Sequence, residues 1–359
     1  MNKTNGAPYI GIFLVGAYKC GTTTVADWLF QHPQITSCRA DPVFRDHLAC
    51  LPPRKNRLHK NTKEPSIMLT RMRNVHVDWK RGTVWENNIN NLRRFDLDLA
   101  RCLPDSPQTR PSHWKTLAAD CSPFYFPRKN CAEAIKTLYS DARIIITLRH
   151  PTDYFHSLFC VDLRNFQGAN RPILTDAVNK KINGLPSTDI TYFWTESIQN
   201  WLSLFGKNQV KIIILEEWRE RPEQTAQECY RFIGVDHSFV PRCKWLNSAL
   251  AQGVAAPIDL YELRRKQLNV SGQDRQFYPV NYLARRHYRY CYTLFKKQKI
   301  SSLRDKQNFI RKSPFRIFYS KRPPPLETKT RQKLDKHFKP IVEAMEKVLG
   351  RPIPCWHRA

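Results

Sequence analysis

Near the start of the chain a lysine, two glycines and three threonines fall close together, in Gly16-Ala17-Tyr18-Lys19-Cys20-Gly21-Thr22-Thr23-Thr24. The spacing Gly16-x4-Gly21-Thr22-Thr23 follows the phosphate-loop pattern GxxxxGK[ST], but Thr22 stands where the lysine belongs and Lys19 sits inside the loop. This set suits an anion. Gly21 lets the backbone approach closely, and the amides of residues 20–24 are expected to point at the ligand from a helix N-terminus. Thr22, Thr23 and Thr24 add hydroxyl donors, and Lys19 adds a mobile positive charge. A nucleoside triphosphatase needs its lysine on the β- and γ-phosphates and a hydroxyl on Mg²⁺, so the misplaced lysine disfavours that chemistry. The bland alternative is an ordinary strand-to-helix turn.

A second set lies in Leu148-Arg149-His150-Pro151-Thr152-Asp153-Tyr154-Phe155-His156-Ser157. Arg149 falls at the carboxyl end of an apolar run, where open parallel sheets bind ligands. Ser157 follows eight residues later, within the first two turns of the next helix. A guanidinium fork and a hydroxyl at that spacing suit a second phosphate. A capping arginine and an exposed serine are the alternative.

The elements that must carry these residues can be read from periodicity. Ile10–Gly16, Ala142–Leu148 and Val210–Leu215 are short apolar runs rich in β-branched residues, and each reads as a buried strand. Helices are expected over Val25–Phe30, 86–101, Ala132–Leu138, Thr152–Arg164, Phe193–Phe205, Gln224–Ile233 and Glu327–Leu349, with loops over 38–63 and 165–190. Strands alternating with helices predict an α/β fold, a parallel sheet flanked by helices. From about residue 260 the chain turns basic and mainly helical. A single domain over 9–356 is expected, with a nucleotide-binding core over 9–235 and a basic helical part over 240–356.

Composition narrows the class. In 359 residues, 41% hydrophobic and 25% charged, a globular core is expected rather than disorder. Lys and Arg number 59 against 31 Asp and Glu, a net charge of +28. Such a surface favours an anionic partner: nucleic acid, an acidic membrane, a phosphorylated cofactor or a polyanionic glycan. The eleven cysteines contain no CxxC pair and no zinc-finger spacing, so a structural metal is not expected. The longest apolar run, Tyr9–Ala17, is about half the ~18 residues needed to span a bilayer. Membrane association is therefore expected only through an anchor not visible in this chain.

The loop Tyr18–Thr24 followed by Leu29 resembles the 5′-phosphosulfate loop, K-x-G-T-T/S-x-x-x-x-L, of sulfotransferases. These enzymes use 3′-phosphoadenosine 5′-phosphosulfate (PAPS) as co-substrate, and the resemblance implies that no metal is required. The segment from Arg149 to Ser157 resembles their 3′-phosphate element, R-x-P-x-x-R-x-x-S, with Tyr154 in place of the middle arginine. Asp120-Cys121-Ser122-Pro123-Phe124-Tyr125 resembles the (D/E)-x-(S/T)-P-x-Y segment of the carbohydrate branch, which implies acceptor contacts at Ser122 and Tyr125. Trp201-x3-Phe205 with Glu216, and Leu349-Gly350-Arg351 with Trp356, are similar to further stretches of that branch. Within it, Lys63-Glu64-Pro65 looks most like N-acetylgalactosamine 4-sulfate 6-O-sulfotransferase relatives.

The resemblance implies PAPS bound by Lys19, Cys20, Gly21, Thr22, Thr23, Thr24, Arg149 and Ser157, with Lys321 and Arg322 in a closing loop. Lys19 is expected to stabilise the bridging oxygen and the leaving phosphate, with ground-state phosphate binding alone as the alternative. Glu64 is expected as the base that activates an acceptor hydroxyl, with Asp41 the alternative. The acceptor expected is an acidic or neutral glycan, with no nucleic acid partner. The compartment implied is the Golgi lumen; a soluble cytoplasmic relative is the alternative. A small-molecule or tyrosine sulfotransferase, a nucleic-acid-binding protein and a phosphate-loop kinase are the competing classes.

Overall fold

The computed structural model describes residues 9–37, 116–164, 194–243 and 326–357, together with 278–279, 287–298 in part, 303–314 and 319–320. The expected helix over 86–101, the loops over 38–63 and 165–190, and Glu64, Asp41, Lys321 and Arg322 lie outside the described residues. Packing divides the chain into two compact units. One takes residues 1–149, 193–246 and 345–359; the other takes 150–192 and 247–344. The division is interleaved along the sequence, whereas sequence reading places one change of character between 235 and 240.

The first unit holds a five-stranded sheet in the order β2-β3-β1-β4-β5, with every pairing parallel. Its strands are β1 (Ile10–Gly16), β2 (Ile35–Ser37), β3 (Leu117–Asp120), β4 (Arg143–Leu148) and β5 (Val210–Ile214). β1 is buried along its whole length, as its unbroken apolar run requires of a central strand covered on both faces. Helices α1 (Thr22–Gln31), α2 (Lys129–Leu138), α4 (Trp194–Phe205), α5 (Leu215–Glu220) and α6 (Pro222–Ile233) flank the sheet. Each fully buried aliphatic or aromatic side chain in such a core contributes roughly 1.5–3 kcal/mol.

Chain order reverses direction around β1: β3 lies on one side and β4 on the other. The carboxyl end of the central strand is thus a topological switch point, the usual ligand-binding edge of an open parallel sheet. Irregular register between Leu14 and Gly16 marks the place where β1 leaves β4. Thr147 closes this gap: its hydroxyl donates to the Gly16 carbonyl at 2.6 Å, and its carbonyl accepts the Ala17 amide at 2.5 Å.

The second unit holds helix α3 (Pro151–Arg164), helix α7 (Leu303–Lys312), most of helix α8 (Thr328–Leu349), and the antiparallel pair β6 (Tyr278–Pro279) and β7 (Tyr319–Ser320). α3 starts one residue before its expected boundary, because Pro151 serves at the first helical position, where its missing N–H costs nothing. Phe155 of α3 and Phe338 of α8 pack with ring centroids 6.0 Å apart. No helix among the described residues is long and apolar enough to cross a membrane.

Candidate functional site

Residues 17–21 form the turn between β1 and α1. Two glycines make it possible. Gly16 has no room for a Cβ because Phe126 occupies the space. Gly21 has φ +85°, and an added Cβ would come within 2.5 Å of the Trp218 ring. A side chain at 21 would meet both left-handed backbone strain and a wall. Lys19 also has a left-handed φ of 66°, a conformation that non-glycine residues adopt at a cost of about 1–2 kcal/mol.

Aromatic side chains hold the turn from below. The Phe126 amide donates to the Val15 carbonyl at 2.9 Å, and the Phe126 carbonyl accepts the Trp201 indole N–H at 3.0 Å. Trp218 meets Trp28 edge to face, with centroids 5.0 Å apart. Above, the Tyr18 ring stacks on Phe124 at 5.3 Å, and Lys19 Nζ lies 5.8 Å from the centre of the Tyr18 ring.

The expected cradle of five amides is narrower than the sequence suggests. The Cys20 amide donates to the Ala17 carbonyl at 3.1 Å and the Thr24 amide to the Gly21 carbonyl at 2.9 Å. Both are used to shape the turn, so the expected cradle loses these two amides. Amides in the first turn of a helix have no acceptor within the helix itself. Thr22 and Thr24 are buried, whereas Lys19 and Thr23 are half-buried. The Cys20 thiol is fully buried, and burial pushes it well above its ordinary value. Arg149 and Lys19 pull it back down, and Glu216 adds to the rise. It is an inert packing thiol, and its contribution to the loop comes from its backbone.

Arg149 follows β4 directly, so its backbone leaves the sheet beside that of the 17–21 turn. β1 and β4 are parallel, with Gly16 opposite Ile146, so both groups leave the sheet at the same edge. Its Nε is buried and meets no hydrogen-bond partner. An orphaned buried guanidinium N–H beside a loop of this shape fits a phosphate-bearing ligand. Arg149 closes the first unit and Ser157 belongs to the second.

At the start of α3, His150 Nδ1 accepts the Thr152 amide at 3.2 Å, and the His150 carbonyl accepts the Tyr154 amide at 2.9 Å. Tyr154 is buried, and Ser157 is half-buried on the following turn.

Ser122 and Tyr125, expected to contact an acceptor, have a different environment. Both are 0% exposed. The Ser122 hydroxyl donates to Asp120 Oδ1 at 2.5 Å and the Tyr125 hydroxyl to Asp120 Oδ2 at 2.7 Å. A buried carboxylate at the end of β3 organises this segment, and in the structure both hydroxyls are turned to it. Their motif contains the carboxylate as well as the two hydroxyls, but its spacing does not show that they bond to one another.

Sequence reading gave Glu216 and Arg351 no role beyond their motifs. In the structure Glu216 Oε2 accepts the Trp356 indole N–H at 2.9 Å. Arg351 donates to Glu217 through two nitrogens, at 2.6 and 2.8 Å. The pairing of strand-end glutamates with the 351–356 stretch would have been readable only from charge and distance, not from spacing.

Comparison with known proteins gives one family. The model described as "Sulfotransferase family" matches residues 11–239. No curated protein matches the chain in sequence. Among solved structures, the chain is similar to a sulfotransferase from Alicyclobacillus acidocaldarius, at 18% identity and TM-score 0.48, over 98% of this chain and 100% of that one. It is similar to the sulfotransferase domain of the Synechococcus PCC 7002 olefin synthase at 15% identity and TM-score 0.33, over 94% of this chain and 96% of that one. A sulfotransferase from Mycobacterium avium matches at 15% identity and TM-score 0.36, over 85% of this chain and 76% of that one.

Proposed function

The chain belongs to the sulfotransferase family, and on that premise we propose that it moves the sulfuryl group of PAPS to a hydroxyl of a carbohydrate acceptor. The observation that carries this reading is the meeting of the 17–21 turn with Arg149 and its orphaned Nε at one edge of the sheet. When bound, PAPS supplies an activated sulfuryl group on a good leaving phosphate. The amides of 21–23 and the hydroxyls of Thr22, Thr23 and Thr24 hold its 5′ end. Lys19 holds charge on the leaving phosphate oxygen, the kind of positioned cation that supplies most of the catalysis in such transfers. The shared motif assigns Arg149 and Ser157 to the 3′-phosphate, and Lys321 with Arg322 to closure over it. Glu64, or Asp41 in its place, takes the proton from the acceptor hydroxyl.

The net charge of +28 supports an acidic glycan as the acceptor. The carbohydrate reading carries with it the Golgi lumen as the place of work, and no nucleic acid partner. The test is transfer of labelled sulfate from PAPS to a panel of chondroitin, dermatan, heparan, simple sugars, phenols and small amines. Label on a glycan is the expected result. Label confined to phenols or amines replaces the acceptor class, and no PAPS-dependent label on any member overturns the reading.

A further inference from the structure

Helix α3 carries its own obstacle to binding an anion. Between Pro151 and Cys160 it has one acidic residue, Asp153, and neither lysine nor arginine. Asp153 and Ser157 are four residues apart, so they share a helix face. A phosphate beside the Ser157 hydroxyl would sit about one turn from a carboxylate, a repulsive arrangement.

The structure brings a cation to that face from elsewhere in the same unit. Arg331 of α8 donates from Nη2 to Asp153 Oδ1. Four residues on, Asp335 lies 4.0 Å from His150 Nδ1, and Phe338 packs on Phe155, so one stripe of α8 runs along the beginning of α3. The Arg331 side chain is 40% exposed, enough to be reached by a ligand. A guanidinium has five N–H donors, and the contact with Asp153 uses one nitrogen. On the same first turn the Thr152 hydroxyl is buried and makes no hydrogen bond.

We propose that Arg331 is a cofactor-selecting residue: it cancels the charge of Asp153 and offers its remaining donors to a phosphate on the Ser157 face of α3. This rests on the proposed reading that Ser157 serves the 3′-phosphate of PAPS. The roles differ in their consequences. A merely structural ion pair would be damaged equally by losing either partner. A selecting Arg331 opposed by Asp153 would not.

The test is calorimetric binding of adenosine 3′,5′-bisphosphate and of adenosine 5′-monophosphate to the full chain. In the unaltered protein the bisphosphate binds more tightly. Arg331→Ala weakens the bisphosphate about tenfold and leaves the monophosphate within about twofold. Asp153→Asn keeps or tightens bisphosphate binding, and the double variant recovers most of the loss. Arg331→Lys, which keeps the charge, retains most of the affinity and serves if Arg331→Ala fails to fold by circular dichroism. If the unaltered protein prefers the bisphosphate but Asp153→Asn weakens it as much as Arg331→Ala, the pair is structural and the proposal falls alone. The same holds if Arg331→Ala weakens both nucleotides equally, or neither. If the unaltered protein shows no preference for the bisphosphate, both this proposal and the 3′-phosphate assignment are overturned.

Discussion

At the end of β1 the chain leaves Lys19 and Thr23 half-buried, whereas at the end of β3, the next strand in the sheet, Asp120, Ser122 and Tyr125 have no exposure at all. Both segments are polar turns that follow a parallel strand, and both match a family motif. The difference lies in one carboxylate. Asp120 takes the hydroxyls of Ser122 and Tyr125, so that segment satisfies itself. The stretch from Ala17 to Thr24 has no acidic side chain; its polar side chains are hydroxyls, a thiol and a lysine. A strand end rich in donors and without a carboxylate of its own suits an anionic ligand, while one that pairs its hydroxyls with a carboxylate braces the fold.

Three substitutions break or sharpen this contrast. The largest effect is expected from Lys19→Ala, which should lower sulfuryl transfer about a thousandfold while leaving the melting temperature nearly unchanged. Transfer of labelled sulfate and a thermal melt measure the two halves of that statement, and full retained transfer would remove Lys19 from the chemistry. Asp120→Ala should act in the opposite sense, lowering stability by about 3 kcal/mol because two buried hydroxyls lose their acceptor. Denaturant unfolding monitors it, and a loss below about 1 kcal/mol would mean that Asp120 is not the brace. Ser122→Ala is the smallest. It should cost about 1 kcal/mol of stability and leave transfer within about twofold. A large fall in transfer without a fall in stability would assign Ser122 to the acceptor site.

The central strands were legible because their signal is local. Ile10–Gly16, Arg143–Leu148 and Val210–Ile214 are apolar runs with many β-branched residues, which neither helices nor loops favour. β3 was not legible. Leu117-Ala118-Ala119-Asp120 is short and alanine-rich, and it is a strand because β1 and β2 pair with it on both sides. The same holds for the three residues of β2. At the site, side-chain types announced the anion loop and Arg149, since glycine, lysine and hydroxyls carry their chemistry with them. Which backbone amides remain for a ligand depends on hydrogen bonds made after folding, and so the use of Cys20 and Thr24 in the turn could not be read from spacing. The Arg331–Asp153 pair joins residues 178 positions apart, beyond the reach of any local pattern.

The sheet-bearing unit is assembled from three separated stretches of chain, and the third brings Arg351 to Glu217 and Trp356 to Glu216. A growing polypeptide therefore emerges with its five strands complete by Ile214 and must wait for well over a hundred further residues before those contacts can form. During translation the half-built unit holds apolar strands without their final staple. Its maturation is thus tied to the arrival of residues 351–356, long after the strands themselves have emerged.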